Sequence, residues 1–425
     1  MLSLVKRGVS EFDNWLLRIY GPVVRFYEGR RLNILISDPV VIREIFIDRS
    51  DVFYNRQVFD SVNLFPLNLG LPSLQDEDWD RVRYLCSGFF SDSSLRQQIK
   101  IMNYAYNNYI DSILTNSSSH IVDLEVLFSK YAAKVIGCSL FGVEGSAEET
   151  IQQQIVLQAI NDLKNPAHKE LKFAALALFP FASKIFKIFN LQLLDYGKVS
   201  VINDYIKHVI ENQQQSLAGE NYCFLAYASS LITEDIKTNQ GITFDEMVAQ
   251  CITFYIAGHH TTASTLMFTI YHLATNPDFQ ERAFNEAGQL KEEEKLIETL
   301  IKGTSFIHAC IMESLRLYSP TVRIDRVAKY TTKISNNITI PAGATLIVPL
   351  PSLHKRPDYF ENPLTFNPLR TCHSVDEKLS RDFKCIPFGC GHRYCTGKKL
   401  AMVILTFTII ELVLRFEFRQ CPKTE

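Results

Sequence analysis

At 425 residues the chain exceeds an ordinary domain of about 100–200 residues, and 47% hydrophobic with 21% charged residues marks a globular protein, not a disordered one. Lys plus Arg (44) and Asp plus Glu (46) nearly cancel, so the basic field expected of a nucleic-acid binder is missing. Ten cysteines stand without any C-x-x-C pair and no signal peptide opens the sequence, which argues for reduced thiols and against a disulfide framework. No apolar run reaches the roughly 18 residues that a membrane-spanning helix needs.

Residues 23–27 and 32–36 are strand-like around Glu28-Gly29, the pattern of a β-hairpin. Asp38-Pro39 starts a short helix, since Pro tolerates the first helical position. Helical patterns dominate residues 76 to 302, broken by polar stretches at 117–120 and 212–221. The clearest helix opens at Thr243-Phe-Asp-Glu246, a capping box, and runs to Asn276-Pro277. Apolar on most sides and rising about 1.5 Å per residue, it is long enough to cross a whole domain, buried. Residues 338–341 and 345–348 read as short strands around Ala342-Gly343, residues 396–414 as a helix, and residues 416–419 as a strand. No repeat or Pro/Gly-rich linker divides the chain, so a single domain over 1–425 is expected, mainly α with a small β region.

The segment Phe388-Gly389-Cys390-Gly391-His392-Arg393-Tyr394-Cys395-Thr396-Gly397 fits F-G-x-G-x-R-x-C-x-G at every specified position. A Cys just ahead of a helix has its thiolate favoured by the helix's positive end. Gly391 and Gly397 remove side chains where backbone turns or lies against a flat ligand. Arg393 supplies a fixed cation suited to a carboxylate. The plain alternative is a Gly-rich turn with a structural Cys, and the simultaneous match of six positions speaks against it. A zinc site from Cys372, His373, Cys385, Cys390 and Cys395 would lack the paired ligand spacing of known zinc modules.

With this loop the chain resembles the cytochrome P-450 superfamily, nearly end to end, and looks like its animal microsomal branch of family-3 drug and steroid oxidases and thromboxane synthase. The resemblance extends to Tyr20-Gly21 with Phe26-Tyr27, Glu77-Asp78-Trp79, Val248-Ala249-Gln250 with Ala257-Gly258, and Phe416-Glu417-Phe418. It implies the cytochrome P-450 fold, with haem b (iron protoporphyrin IX) between the long distal helix and the Cys-ligand loop. Cys395 is then the metal ligand, and a thiolate in that place favours O–O cleavage. Phe388, Gly391, Arg393 and Gly397 accompany it as cofactor-binding residues, with Trp79, Arg83, Arg326 and Arg393 gripping the propionates. Glu313 and Arg316, an E-x-x-R pair, are matched with Arg370 in Phe366-Asn-Pro368-Leu-Arg370 as a structural brace behind the loop. Without that context, such a pair is a solvated surface contact.

In the long helix, Ala257-Gly258-His259-His260-Thr261-Thr262 resembles [AG]-G-x-[DE]-T-[TS], in which Thr supports bound dioxygen and the acid relays protons. The acid position holds His260, whose ordinary pKa of about 6.5 suits a proton relay at neutral pH. Two other consequences stand open: weak proton delivery with peroxide leakage, or rearrangement of oxygenated lipids without dioxygen. Thr261 and His260 are the catalytic candidates, although a mid-helix Thr commonly bonds only the carbonyl four residues back.

By the same resemblance, Phe59, Phe65, Phe254, Ala257, Thr321 and Val322 meet a lipophilic substrate. The implied reaction inserts one atom of O2 into that substrate, with electrons from NADPH through an FAD- and FMN-bearing NADPH-cytochrome reductase. Lys378, Arg381, Lys384, Lys398 and Lys399 would greet its acidic surface. Residues 171–194 mix apolar side chains with lysines and suggest a dip into a membrane surface. The implied location is the cytosolic face of the endoplasmic reticulum membrane. Microsomal relatives carry an N-terminal membrane anchor and a C-terminal β hairpin that this sequence lacks, so a truncated chain is expected. The rival functions are a haem-thiolate isomerase or lyase acting on oxygenated lipids and an inactive haem-binding fragment.

Overall fold

The computed structural model describes residues 8–29, 31–58, 65–111, 114, 121–142, 154–160, 196–213, 223–232, 241–290, 293–302, 306–370, 382–422 and 424. In chain order, helix α1 (Val9–Tyr20) leads into strands β1 (Val23–Glu28) and β2 (Arg31–Ile36) and the short helix α2 (Pro39–Arg43). Helices α3 (Asp76–Ser87), α4 (Asp92–Ala105), α5 (Leu124–Phe141), α6 (Tyr196–Gln213) and α7 (Phe224–Ser229) follow. Next come the long helix α8 (Phe244–Thr275), then α9 (Pro277–Gly288), α10 (Glu293–Lys302) and α11 (Phe306–Leu317). Strands β3 (Arg323–Val327), β4 (Thr332–Ile334), β5 (Ile338–Ile340) and β6 (Thr345–Pro349) precede the short helix α12 (Leu350–His354) and the helix α13 (Lys398–Arg415).

The described residues of 1–63 and 312–395 form one compact unit, and those of 64–167, 194–311 and 396–425 form another. The first unit is built on a four-stranded sheet in the order β1-β2-β6-β3, with β2 and β6 parallel and the outer pairs antiparallel. Alternation along the strands divides its two faces. Phe26, Leu35 and Ile347 meet Phe12 and Leu16 of α1 on one face, whereas Ile34, Ile36, Leu346 and Val348 join a larger core with Phe46, Phe53, Leu353 and Ile386. Asp38 caps α2 by accepting the Val40 N–H at 2.9 Å, ahead of Pro39 at the first position.

The second unit is helical. Its axis is α8, which begins with the expected capping box: the Thr243 hydroxyl accepts the Glu246 N–H, and the Glu246 carboxylate accepts the Thr243 N–H. Glu246 also receives Arg81 of α3 in a buried ion pair. Gly258 lies where α5 crosses α8, since a Cβ there would come within 2.9 Å of Ile136. Helix α13 is buried along most of its length, with Leu405, Ile409 and Leu412 all at 2% exposure or less, consistent with its nearly uninterrupted apolar sequence.

One expectation needs correction. Residues 416–419 are not a strand: their backbone is extended, but the Gln280 side chain takes the place of a partner, accepting the Phe418 N–H at 2.7 Å and donating to the Phe418 carbonyl at 2.9 Å. The short strands expected on either side of Ala342-Gly343 are present as β5 and β6. β5 joins β4 in a separate two-stranded sheet, while β6 enters the main sheet. Among the described residues no helix is long and apolar enough to cross a membrane. Residues 171–194 and Phe59 lie outside the described residues.

Candidate active site

The Cys-bearing loop is shaped by its own backbone. The Gly389 N–H donates to the Ile386 carbonyl, the Tyr394 N–H to Gly391, and the Cys395 N–H to Phe388 at 2.9 Å, so the loop closes on itself at the candidate ligand. Gly389 and Gly391 have φ of 74° and 72°, left-handed conformations that favour glycine. Gly391 carries a second requirement, because a Cβ there would lie 2.1 Å from the Phe46 carbonyl oxygen. Gly397 differs. Its φ is −85° and a Cβ would meet only Phe90 at 3.8 Å, so the protein itself leaves room for a side chain. Phe388 and Cys395 are half-buried, and Arg393 is buried.

A segment that carried no motif clamps this loop from outside. Asn55 accepts Arg393 Nη2 at 2.8 Å, Arg56 Nη2 donates to the Arg393 carbonyl at 2.9 Å, and Tyr54 stacks on His392 with ring centroids 4.4 Å apart. Arg326 of β3 donates to the Cys390 carbonyl at 3.3 Å and stands over the Phe46 ring. It is 1% exposed, and burial pushes it down to about 9, with Arg56 and Arg393 pressing the same way. Among the described residues its Nε has no hydrogen-bond partner. The nearby Asp325 carboxylate already accepts the Gln57 N–H at 2.7 Å. Three clustered guanidiniums, the Arg326 one carrying that buried donor, fit an anionic ligand, and the carboxylates of haem have that chemistry. Burial pushes the Cys390 thiol up to about 12, which makes it a poor source of thiolate.

Behind the loop, Glu313, Arg316 and Arg370 come together. Arg316 Nε and Nη2 donate to the two Glu313 oxygens, each at 2.8 Å, and Arg370 Nε donates to the same carboxylate at 3.0 Å. Arg316 Nη1 also donates to the carbonyls of His354 and Pro363, at 2.9 and 2.7 Å. The Glu313 and Arg316 side chains are both 0% exposed, so this is an internal lock rather than a surface pair. Leu369 of the Phe366–Arg370 segment is exposed, which explains why an apolar residue is tolerated beside Arg370.

In the second unit, Trp79 and Arg83 lie one turn apart on α3, the indole buried and the guanidinium half-buried. Between them Arg81 turns inward to Glu246 and the Gly241 carbonyl, which ties α3 to the start of α8. Along α8, Phe254, Ala257 and Thr261 recur at helical spacing on one side, Ala257 exposed and the other two half-buried. Ala257 and His260 are exposed, whereas His259 points into α5 and bonds Ser129 through Nε2. The adjacent histidines are thus sorted by burial, and His260 is the accessible one. The Thr261 hydroxyl donates to the Ala257 carbonyl at 2.6 Å, and Thr265 and Thr269 repeat the pattern one and two turns on. Phe254 packs edge-on against Phe90 and Phe224. Phe65 is half-buried in this unit, and Thr321 and Val322 are exposed in the first.

The Cytochrome P450 family profile matches residues 1–425. The chain belongs to the cytochrome P450 family. It is 27% identical to cytochrome P450 3A9 of Rattus norvegicus over 429 aligned residues, covering 99% of this chain and 83% of the relative. Cytochrome P450 3A28 of Bos taurus is likewise 27% identical, with 99% and 82% covered. For cytochrome P450 3A5 of Homo sapiens the values are 27%, 99% and 83%. This cytochrome P450 is a haem monooxygenase, an oxidoreductase that uses O2, a redox partner and a small-molecule substrate. Of the basic side chains expected to meet that partner, Lys399 pairs with Asp92 and Lys384 with Asp382, and Lys378 and Arg381 lie outside the described residues.

Proposed function

We propose that this cytochrome P450 inserts one oxygen atom from O2 into a lipophilic substrate (a steroid, lipid or xenobiotic), with electrons from NADPH through an FAD- and FMN-containing reductase. The observation that carries the substrate class is the aromatic group formed by Phe89, Phe90, Phe224 and Phe254, which adjoins the side of α8 that bears Ala257. Such surroundings favour apolar ligands through the area they remove from water. Haem b, when bound, supplies the oxygen-activating chemistry.

Each candidate residue then has a defined task. The Cys395 sulfur is the iron ligand, presented by a loop whose closure ends at its own N–H. Arg326, Arg393, Trp79 and Arg83 hold the propionates. The Thr261 hydroxyl, its hydrogen on the Ala257 carbonyl, offers lone pairs on that side of α8. His260, exposed one residue earlier, holds a proton on its imidazole and delivers it toward that hydroxyl. Phe254 and Ala257, with Phe65, Thr321 and Val322, shape the apolar surroundings. Phe59 and residues 171–194 belong to the same proposal, as a substrate contact and a membrane-facing segment at the cytosolic face of the endoplasmic reticulum.

The test is turnover of haem-loaded protein with NADPH-cytochrome reductase, NADPH and a panel of steroids and fatty acids under labelled O2. Products heavier by one labelled oxygen atom are expected. Isomerisation of a lipid peroxide without NADPH, combined with no labelled product, would replace this reading with that of a haem-thiolate isomerase.

A further inference from the structure

His354 ends α12 and is fully buried at the junction of two parts of the first unit. On one side is the carboxylate–guanidinium lock, where Arg316 Nη1 donates to the His354 carbonyl at 2.9 Å. On the other is the entry to the Cys-bearing loop, where the Ile386 N–H donates to His354 Nε2 at 3.0 Å. Ile386 in turn accepts the Gly389 N–H, and Phe388 accepts the Cys395 N–H. One residue therefore connects the lock to the backbone that ends at the candidate ligand. A main-chain N–H pointing at a ring nitrogen also fixes the proton: Nε2 must keep its lone pair, so the ring is neutral with hydrogen on Nδ1.

We propose that His354 is a positioning residue of the haem-thiolate site: its unprotonated Nε2 holds the Ile386 amide and thereby sets the loop that presents Cys395. The proposal rests on the reading of Cys395 as the iron ligand. The charged groups bearing on the ring are Arg316 of α11 and the neighbouring Lys355, both cations, while Glu313 is engaged by Arg316 and Arg370. Burial, reinforced by those two cations, pushes His354 down to about 3, so the acceptor state persists throughout the neutral range.

Two substitutions separate acceptor from filler. His354→Gln keeps a carbonyl oxygen near the place of Nε2, whereas His354→Phe fills the space with no acceptor. Two readouts are taken on the full haem-loaded chain: the reduced, carbon-monoxide difference spectrum and amide hydrogen exchange across residues 384–389. His354→Phe is expected to speed exchange at Ile386 about tenfold or more, the effect of one lost buried hydrogen bond, and to move intensity from the long-wavelength to the short-wavelength Soret band. His354→Gln is expected to restore most of both. The proposal is overturned if His354→Phe matches the parent in exchange and spectrum. It is equally overturned if His354→Gln and His354→Phe are impaired alike while retaining parental helical circular dichroism. Should His354→Phe not fold, His354→Asn, whose shorter amide falls short of Ile386, carries the same expectations. Ligand identity is judged separately: if Cys395→Ser leaves the parent spectrum unchanged, the ligand reading fails, and exchange at Ile386 still reports on the His354 anchor by itself.

Discussion

Glu313→Ala would leave Arg316 as a cation at 0% exposure facing no carboxylate. Removing one partner of a buried pair costs about 3–5 kcal/mol, most of it the desolvation of the charge left behind. The paired replacement Glu313→Leu with Arg316→Met is more informative. For an isolated buried ion pair, such an apolar exchange is often neutral or stabilising. Here Arg316 also donates to the buried His354 carbonyl and the part-buried Pro363 carbonyl; a buried carbonyl stripped of its donor costs about 1–3 kcal/mol, and one that water reaches costs less. Arg370 loses its carboxylate as well. The double variant should therefore stay more than about 1 kcal/mol less stable than the parent. Denaturant titration followed by helical circular dichroism and by haem retention measures this, the second probe being needed because a chain of two units need not unfold in one step. A double variant within about 1 kcal/mol of the parent would refute the view that Arg316 organises backbone as well as neutralising Glu313.

Gly391→Ala combines a left-handed φ with a backbone clash at Phe46 and should abolish the long-wavelength carbon-monoxide band, whereas Gly397→Ala should keep the apoprotein fold; circular dichroism and haem titration distinguish them. Thr261→Val preserves shape and leaves the Thr261 carbonyl free to accept Thr265, so melting should be unchanged. NADPH consumption should continue while product per NADPH falls about tenfold, as loss of one proton-handling group would give. Stability should also depend on pH through His354. The folded chain resists its protonation down to about 3, whereas the unfolded chain accepts a proton near 6.5. Stability from this group is complete above about 6.5 and is lost by about 1.4 kcal/mol per pH unit as pH falls toward 3. Denaturation midpoints at pH 7, 6 and 5 should show a slope that is smaller in His354→Gln.

Features that rest on neighbouring residues were legible in the sequence. The hairpin around Gly29, the capping box at Thr243 and the full extent of α8 come from local periodicity and capping chemistry. The Cys395 loop and the Glu313–Arg316 pair were legible as motifs, although spacing alone says nothing of their burial. What failed to show were partners distant in the chain and ordinary in type. Asn55 and Arg56 clamp Arg393 from far upstream, Gln250 ties the Leu69 and Leu71 backbone to α8, and the Glu286 carboxylate caps α11 at Phe306 and Ile307. Arg81 was hidden for a related reason: two residues from both Trp79 and Arg83, it lies on a different side of α3, where it meets Glu246. The strand expected at 416–419 had the right residues, but β structure needs an edge to pair with, and Gln280 supplies the two hydrogen bonds instead. Thr261 was read for its hydroxyl, and the ladder through Thr265 and Thr269 gives that hydroxyl a structural bond as well.

The most direct test of Cys395 as the haem ligand is the reduced, carbon-monoxide difference spectrum of the haem-loaded chain, recorded beside Cys395→Ser. The parent should show the long-wavelength Soret band for which the family is named, and the variant should lose it while still taking up haem. A parent spectrum indistinguishable from that of Cys395→Ser would contradict the assignment of Cys395 as the thiolate ligand.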